Sequence, residues 1–104
     1  MRPELTFLSL IRKAGKIEAG EQPVLAALSG RRAVLLVYAA DAARNTVHRA
    51  VRIAGENGIE AVQLACDKAA LGRALGRPPL SLVAVTDSGM ARTFLEKRGM
   101  THGE

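Results

Sequence analysis

The sequence predicts an α/β fold, a three-layer α/β/α sandwich around a small mixed four-stranded sheet. The apolar run over residues 33–40 lacks the polar alternation of a half-exposed strand and is typical of a strand covered on both faces, and residues 81–86 form a further apolar strand. Segments with apolar residues at helical spacing lie between the strands, which is the order of elements in α/β proteins. At 104 residues the whole chain, residues 1–104, is expected to form a single domain.

The first half of the chain alternates helix and strand twice. Pro3 suits the first turn of a helix that Gly15 stops. Gly20 is expected to take the backbone shape needed before a second helix, in which Pro23 is tolerated because first-turn N–H groups have no helical partner. Gly30 ends that helix. The predicted elements are a helix over about residues 4–14, a short strand over 16–19, a helix over 21–29 and a strand over 33–40.

The second half continues the same alternation. Residues 55–58 form a helix-stop and turn signal, Asp67 is a plausible N-cap, and Asp87 opens the last helix. The stiff loop at 77–80 contains two prolines, which cannot donate to a sheet ladder. The predicted elements are a helix over about residues 43–57, a strand over 59–66, a short helix over 68–75, a strand over 81–86, a helix over 88–98 and a frayed tail over 99–104.

Basic residues outnumber acidic ones. Fifteen Lys and Arg against ten Asp and Glu give a formal net charge of +5, which favours association with polyanions. Eleven of the fifteen cations are Arg, whose planar fork matches phosphate or a guanine edge, so the bias favours nucleic acid. The abundance of Ala and Arg is equally typical of a GC-rich genome. With only Phe7, Tyr38 and Phe94 as aromatics, the chain offers few rings for base stacking.

The composition disfavours several kinds of chemistry. The single Cys66 rules out an internal disulfide, and no His or Cys cluster has the spacing of metal ligands, so neither a metal nor a cofactor is expected. Cys66 is interpreted as a half-buried packing residue rather than a nucleophile, and His48 as a surface residue rather than a catalytic one. No glycine-rich nucleotide fingerprint is present. We therefore expect a protein that is not an enzyme.

No segment is expected to enter a membrane. Met1 leads directly into Arg2, Pro3 and Glu4, without the apolar core of a signal peptide. The longest apolar run, residues 33–40, is far shorter than the roughly 20 residues of a membrane span. The protein is therefore expected in the cytoplasm.

Three cations, Arg12, Lys13 and Lys16, gather at the C-terminal end of the first helix. Cations are favourable there because they complement the helix macrodipole. Two interpretations remain open for this cluster: a solvated helix end and a phosphate contact.

Several short motifs are spread along the chain. Each is a weak signal of a protein family by itself, but together, and in this order, they are a strong one. They are Leu10 to Lys16, Gly20-Glu21, Leu35 to Asp41 with Asn45-Thr46, Leu71 to Gly76, and Val83 to Asp87. Through these motifs the chain resembles the ribosomal protein L7Ae/L30e superfamily of kink-turn RNA-binding proteins, most closely its small bacterial YlxQ/YbxF-type members. The resemblance covers about residues 5–97.

The resemblance implies that the entrance of the second helix and the loop before the last strand bind a kink-turn, an RNA helix bent at a bulge flanked by sheared G·A pairs. Gly20, Glu21 and Gln22 fall at the entrance, and Pro79 and Leu80 are expected to form an apolar shelf for an unstacked base. Arg31 and Arg32 are expected to flank the site and to neutralise phosphate. The full predicted RNA-binding set is Lys16, Gly20, Glu21, Gln22, Arg31, Arg32, Arg44, Arg77, Pro79, Leu80 and Ser81.

The entrance departs from the pattern of strong kink-turn binders, which is Gly-x-Asn-Glu-x-x-Lys. Here Gln22, Pro23 and Ala26 occupy the Asn, Glu and Lys positions. The leading hypothesis is a monomeric, non-enzymatic protein that selects and holds a kinked ribosomal or regulatory RNA, such as rRNA or an mRNA leader. The alternative is a ribosome-associated or RNA-processing interaction protein that keeps the fold without strong kink-turn specificity.

Overall fold

The computed structural model describes the backbone of residues 3–102 and the side chains of residues 3–98. Within that range, helices and strands alternate in the predicted order. Asp67 caps its helix as predicted, because its Oδ1 accepts a hydrogen bond from the N–H of Ala70 at 2.8 Å. The elements are α1 (Pro3–Lys13), β1 (Ile17–Ala19), α2 (Glu21–Ser29), β2 (Leu35–Tyr38), α3 (Arg44–Glu56), β3 (Glu60–Gln63), α4 (Lys68–Ala74), β4 (Leu82–Val85) and α5 (Ser88–His102).

The four strands form one mixed sheet in the order β1-β4-β2-β3. Strand β4 is antiparallel to both of its neighbours, whereas β2 and β3 are parallel. The C-terminal ends of strands β1, β2 and β3 therefore lie at the same end of the sheet, which we call its carboxyl end. Strand β4 begins at this end. The segments that enter α2, α3 and α4, and the loop that leads into β4, consequently share this end of the molecule.

Helices cover both faces of the sheet. Successive residues of a strand point to opposite faces. In β2, Leu35 and Val37 pack in a core with α1, α4 and α5, whereas Leu36 packs in a second core with α2 and α3. Strand β4 divides its side chains between the two cores in the same way. The predicted three-layer sandwich with a mixed four-stranded sheet is confirmed.

The boundaries of some elements differ from those predicted. Strands β2, β3 and β4 have four residues each, because the apolar residues that flank them belong to the connections. Helix α5 continues to His102, four residues beyond its predicted end at residue 98, while the fraying predicted for residues 99–102 stays a prediction. Gly99 costs a helix about 1 kcal/mol but keeps its backbone N–H, so unlike proline it does not end the helix. Residues 103–104 of the predicted tail lie outside the described residues.

Candidate nucleic-acid interface

The first turn of α2 leaves backbone donors open to solvent. Gly20, at the N-cap, has φ 100 and ψ 160, and none of the described side chains caps the helix. The first helical hydrogen bond runs from the N–H of Val24 to the carbonyl of Gly20 at 3.1 Å. Within the described part of the chain, the N–H groups of the exposed residues Glu21 and Gln22 have no acceptor. Free donors at a helix N-terminus favour an anion or a base acceptor.

The loop between α4 and β4, residues 76–81, lies beside this entrance. The N–H of Gly20 donates to the carbonyl of Leu82 at 3.1 Å, and the N–H of Ala39 donates to the carbonyl of Ser81 at 3.0 Å. Arg77 extends over the entrance, where its Nη2 is 3.9 Å from the position that a Cβ on Gly20 would occupy. The structure thus brings together five of the predicted site residues: Gly20, Glu21, Gln22, Arg77 and Ser81.

A glycine of α4 allows this loop to approach the helix. A Cβ on Gly72 would collide with the carbonyl oxygen of Pro78 and would lie 2.8 Å from the carbonyl oxygen of Arg77. The N–H of Arg77 also donates to the carbonyl of Gly72 at 2.8 Å. The location of Arg77 over the α2 entrance therefore depends on the absence of a side chain at residue 72.

Leu80 does not form the exposed shelf that was predicted for an unstacked base. Its side chain is only 5% exposed and lies in the core with Leu71 and Leu75. Burying a leucine contributes about 1.5–3 kcal/mol to folding, which draws this side chain inward from the start of β4. Pro79 remains exposed, as does Pro78, so the loop still presents apolar surface, from its prolines alone.

The acidic side chain at the entrance has a partner from another helix. Nη1 of Arg49 in α3 lies 3.2 Å from Oε2 of Glu21, and the two side chains are 54% and 40% exposed. An exposed pair of this kind contributes about 0–1 kcal/mol to stability, but it compensates the one negative charge in the first turn of α2. Arg49 was not predicted as a site residue because only the packing of α2 against α3 brings it there.

Three predicted residues lie at the opposite end of the sheet. The carbonyl of Lys16 accepts a hydrogen bond from Thr86, which follows β4. Arg31 and Arg32 follow α2, whose nine residues span about 13 Å. The guanidinium of Arg32 is paired with Glu18 at 3.2 Å. The expectation that Arg31 and Arg32 flank the α2 entrance is therefore wrong, because the length of α2 separates both residues from the entrance. A contact between these arginines and RNA stays a prediction.

Arg44 belongs to a second concavity at the carboxyl end of the sheet. This cavity of about 660 Å³ lies between α3 and the ends of β2 and β3. Arg44 and His48 border it from the helix, and Tyr38 and Gln63 border it from the strands. The structure thus places Arg44 at the same end of the sheet as the α2 entrance but in a cavity that Arg77 does not line.

The residues considered for catalysis are structural or solvent-facing. His48 is exposed, as predicted, and Cys66 is 8% exposed within the core, so it is more deeply buried than expected. Within residues 3–98, the His, Cys, Asp and Glu side chains form no group of three that suits a metal ion. None of the described helices combines the length and apolar character that a membrane crossing requires.

Comparison with known proteins places this arrangement in a known fold. No curated protein sequence matches the chain significantly. A solved structure of a protein of unknown function from Bacillus halodurans has a TM-score of 0.85 at 24% identity and covers 93% of this chain and 97% of its own. The 15.5kD RNA-binding protein of Giardia lamblia has a TM-score of 0.72 at 20% identity, covering 95% and 84%. Residues 6–95 match a family model, and the chain therefore belongs to the ribosomal protein L7Ae/L30e/S12e/Gadd45 family.

Proposed function

We propose that the protein is a non-enzymatic RNA-binding protein that recognises a kinked RNA through the first turn of α2 and loop 76–81. The observation that carries the proposal is the position of Arg77. Its exposed guanidinium has no hydrogen-bond or ion-pair partner among the described residues, and it lies over Gly20 beside the free N–H groups of Glu21 and Gln22. Membership in a family of ribosomal proteins supports RNA as the ligand.

The parts of this surface have different roles in the proposal. The backbone donors and the guanidinium of Arg77 bind phosphate or base acceptors and fix the orientation of the RNA. The exposed amide of Gln22 both donates and accepts hydrogen bonds, so it is the side chain best suited to read a base edge. A protein that contacts both arms of a bend stabilises the bent conformer in proportion to its differential affinity for it. We therefore propose a kink-turn as the target.

The proposal extends to the setting in which the protein acts. We propose a cytoplasmic monomer that binds ribosomal or regulatory RNA, such as rRNA or an mRNA leader. Ribosomal or RNA-processing proteins are then partners in the same particle. The small number of aromatic side chains is consistent with recognition by hydrogen bonds and charge rather than by base stacking.

A fluorescence titration tests the proposal with two RNAs, a standard kink-turn and the same RNA with its G·A pairs disrupted. The intact kink-turn should bind more tightly, and Arg77→Ala should weaken its binding about tenfold, the effect of losing one charged hydrogen bond. Arg92→Ala is the matched control, because Arg92 on α5 is exposed and has no side-chain partner in the described part of the chain. Equal affinity for both RNAs would contradict recognition of a kink, and no binding to either would contradict the proposal as a whole.

Two exposed residues favour a second candidate, an interaction protein that keeps the fold without strong kink-turn specificity. Pro23 and Ala26 are both exposed on α2, at the positions where the resemblance implies a Glu and a Lys. The double variant Gln22→Asn with Ala26→Lys separates the candidates in the same titration. It should strengthen existing binding if the proposed function is correct, whereas it should create binding where the wild type has none if the second candidate is correct.

A further inference from the structure

A groove of about 350 Å³ runs along the free edge of β1. Strand β1 is an outer strand of the sheet, so among residues 3–102 no strand pairs with the other side of its backbone. The end of α1 and the residues that follow α4 form the walls of this edge groove. Its lining comprises Arg12, Ile17, Glu18, Ala19, Pro23, Leu75 and Arg77. Because Pro23 and Arg77 also border the α2 entrance, the edge groove is continuous with the interface described above.

Two arginines without partners face the edge groove. Nη2 of Arg12 lies 3.7 Å from the position that a Cβ on Gly76 would occupy, and Arg77 lies over Gly20. Both arginines are exposed, and neither guanidinium has a hydrogen-bond or ion-pair partner within the described range. Glu18, the only acidic residue among the described lining residues, is already paired with Arg32 at 3.2 Å. The groove thus carries uncompensated positive charge, which favours an anion.

The backbone of β1 adds neutral donors and acceptors to these charges. The N–H of Gly20 donates to Leu82, and the N–H of Thr86 donates to Lys16. Hydrogen-bonded and non-hydrogen-bonded pairs alternate along an antiparallel ladder, so the N–H and carbonyl groups of Ile17 and Ala19 point away from β4 and toward the groove. Outward N–H groups suit phosphate oxygens, and outward carbonyls suit a ribose 2′-hydroxyl.

We propose that the edge groove binds the sugar–phosphate backbone of the RNA strand that leaves the α2 entrance, with Arg12 as a phosphate contact. This inference rests on the proposed function. An acidic peptide added to the edge as a strand is less favoured, because the three residues of β1 extend only about 10 Å and offer few ladder hydrogen bonds. A strand edge of about 10 Å is long enough for one phosphate and its ribose. Because Arg77 borders both the edge groove and the α2 entrance, one RNA strand can contact both of these surfaces.

The salt dependence of RNA binding tests this assignment. Arg12→Ala should weaken binding of the full-length protein to the kink-turn RNA by about tenfold at 0.1 M salt. It should also reduce the slope of log K against log salt by about one unit, as expected for one lost phosphate contact. Lys13→Ala is the matched control, because it removes the same charge from the same helix end but does not line the groove, and it should leave the slope unchanged.

Each outcome decides between the assignments. If the wild type binds the kink-turn RNA tightly but Arg12→Ala and Lys13→Ala give equal slopes of log K against log salt, the edge groove does not bind the RNA backbone. The proposed function would remain intact in that case. Wild-type protein that binds neither RNA would overturn both. If Arg12→Ala bound RNA as the wild type does but lost affinity for a polyglutamate peptide, the groove would belong to an acidic protein partner, which also overturns the assignment. Arg12 is exposed, so unchanged circular dichroism and melting temperature should confirm that the variant folds.

Discussion

Replacing Gly72 by Ala tests whether loop 76–81 is held in place by close approach to α4. The added Cβ would lie 2.7 Å from the carbonyl carbon of Pro78 and 2.8 Å from the carbonyl oxygen of Arg77, where ordinary contacts begin at 3.4 Å. The loop must therefore move by about half an ångström or more. It is tied to α4 by hydrogen bonds from the N–H groups of Arg77 and Leu80, so this movement strains backbone rather than a flexible side chain. Overpacking of this kind costs about 1–3 kcal/mol.

Gly55→Ala is the matched control for this substitution. Gly55 lies in α3, and no atom of the described residues that could collide lies within 4 Å of the position that its Cβ would occupy. Both variants gain up to about 1 kcal/mol of helix propensity, so the difference between them isolates the collision. Gly72→Ala should be less stable than Gly55→Ala by about 1–3 kcal/mol, which corresponds to a melting temperature lower by about 4–24 °C for a domain of this size. Equal melting temperatures in thermal unfolding followed by circular dichroism would refute the reasoning.

Two further predictions concern helix ends, both measured as free energies of unfolding in urea. Arg31 has φ 59, a left-handed conformation that costs a residue with a Cβ about 1–2 kcal/mol, so Arg31→Gly should be more stable than Arg31→Ala by about 1 kcal/mol. Both variants lose the bond to Asn57, and the opposite order would contradict backbone strain at this position. Asp67→Ala should cost about 1 kcal/mol through loss of the cap on α4, whereas Asp67→Asn keeps an acceptor and should retain most of the stability. Equal losses in these two variants would show that the cap oxygen is not responsible.

The fold was predictable because its determinants are local in the sequence. The uninterrupted apolar run over residues 33–40 predicts β2 as a covered strand, residues 81–86 predict β4 as an apolar strand, and both strands are largely buried in the structure. Asp67 identifies the start of α4 through a hydrogen bond that spans three residues. The backbone conformation at Arg31, in contrast, could not be predicted from local sequence signals. Glycine is the residue that most often takes a left-handed conformation at the end of a helix, yet Gly30 has φ −85, and Arg31 takes that conformation instead.

The site was only partly predictable because its members meet through tertiary packing. The entrance and loop 76–81 were expected together from the family resemblance, and the pairing of β1 with β4 joins them. Arg49 reaches Glu21 from a helix 28 positions later in the chain, a separation that no periodicity encodes. Leu80 looked like an exposed loop residue beside two prolines, but the demand for buried apolar surface places it in the core.

The first turn of α2 also limits what kind of recognition the surface supports. A helix N-terminus offers up to four free N–H groups, but here Gly20 donates to Leu82 and Pro23 has no N–H. Only Glu21 and Gln22 therefore supply free backbone donors in this turn of the described helix. Under the proposed function the remaining attraction comes from arginine side chains, which can bind phosphate without reading sequence or can pair with a guanine edge. If the proposed function is correct, RNA binding through this surface should accordingly depend strongly on salt, and Gln22 and Arg77 are the side chains from which we expect base specificity.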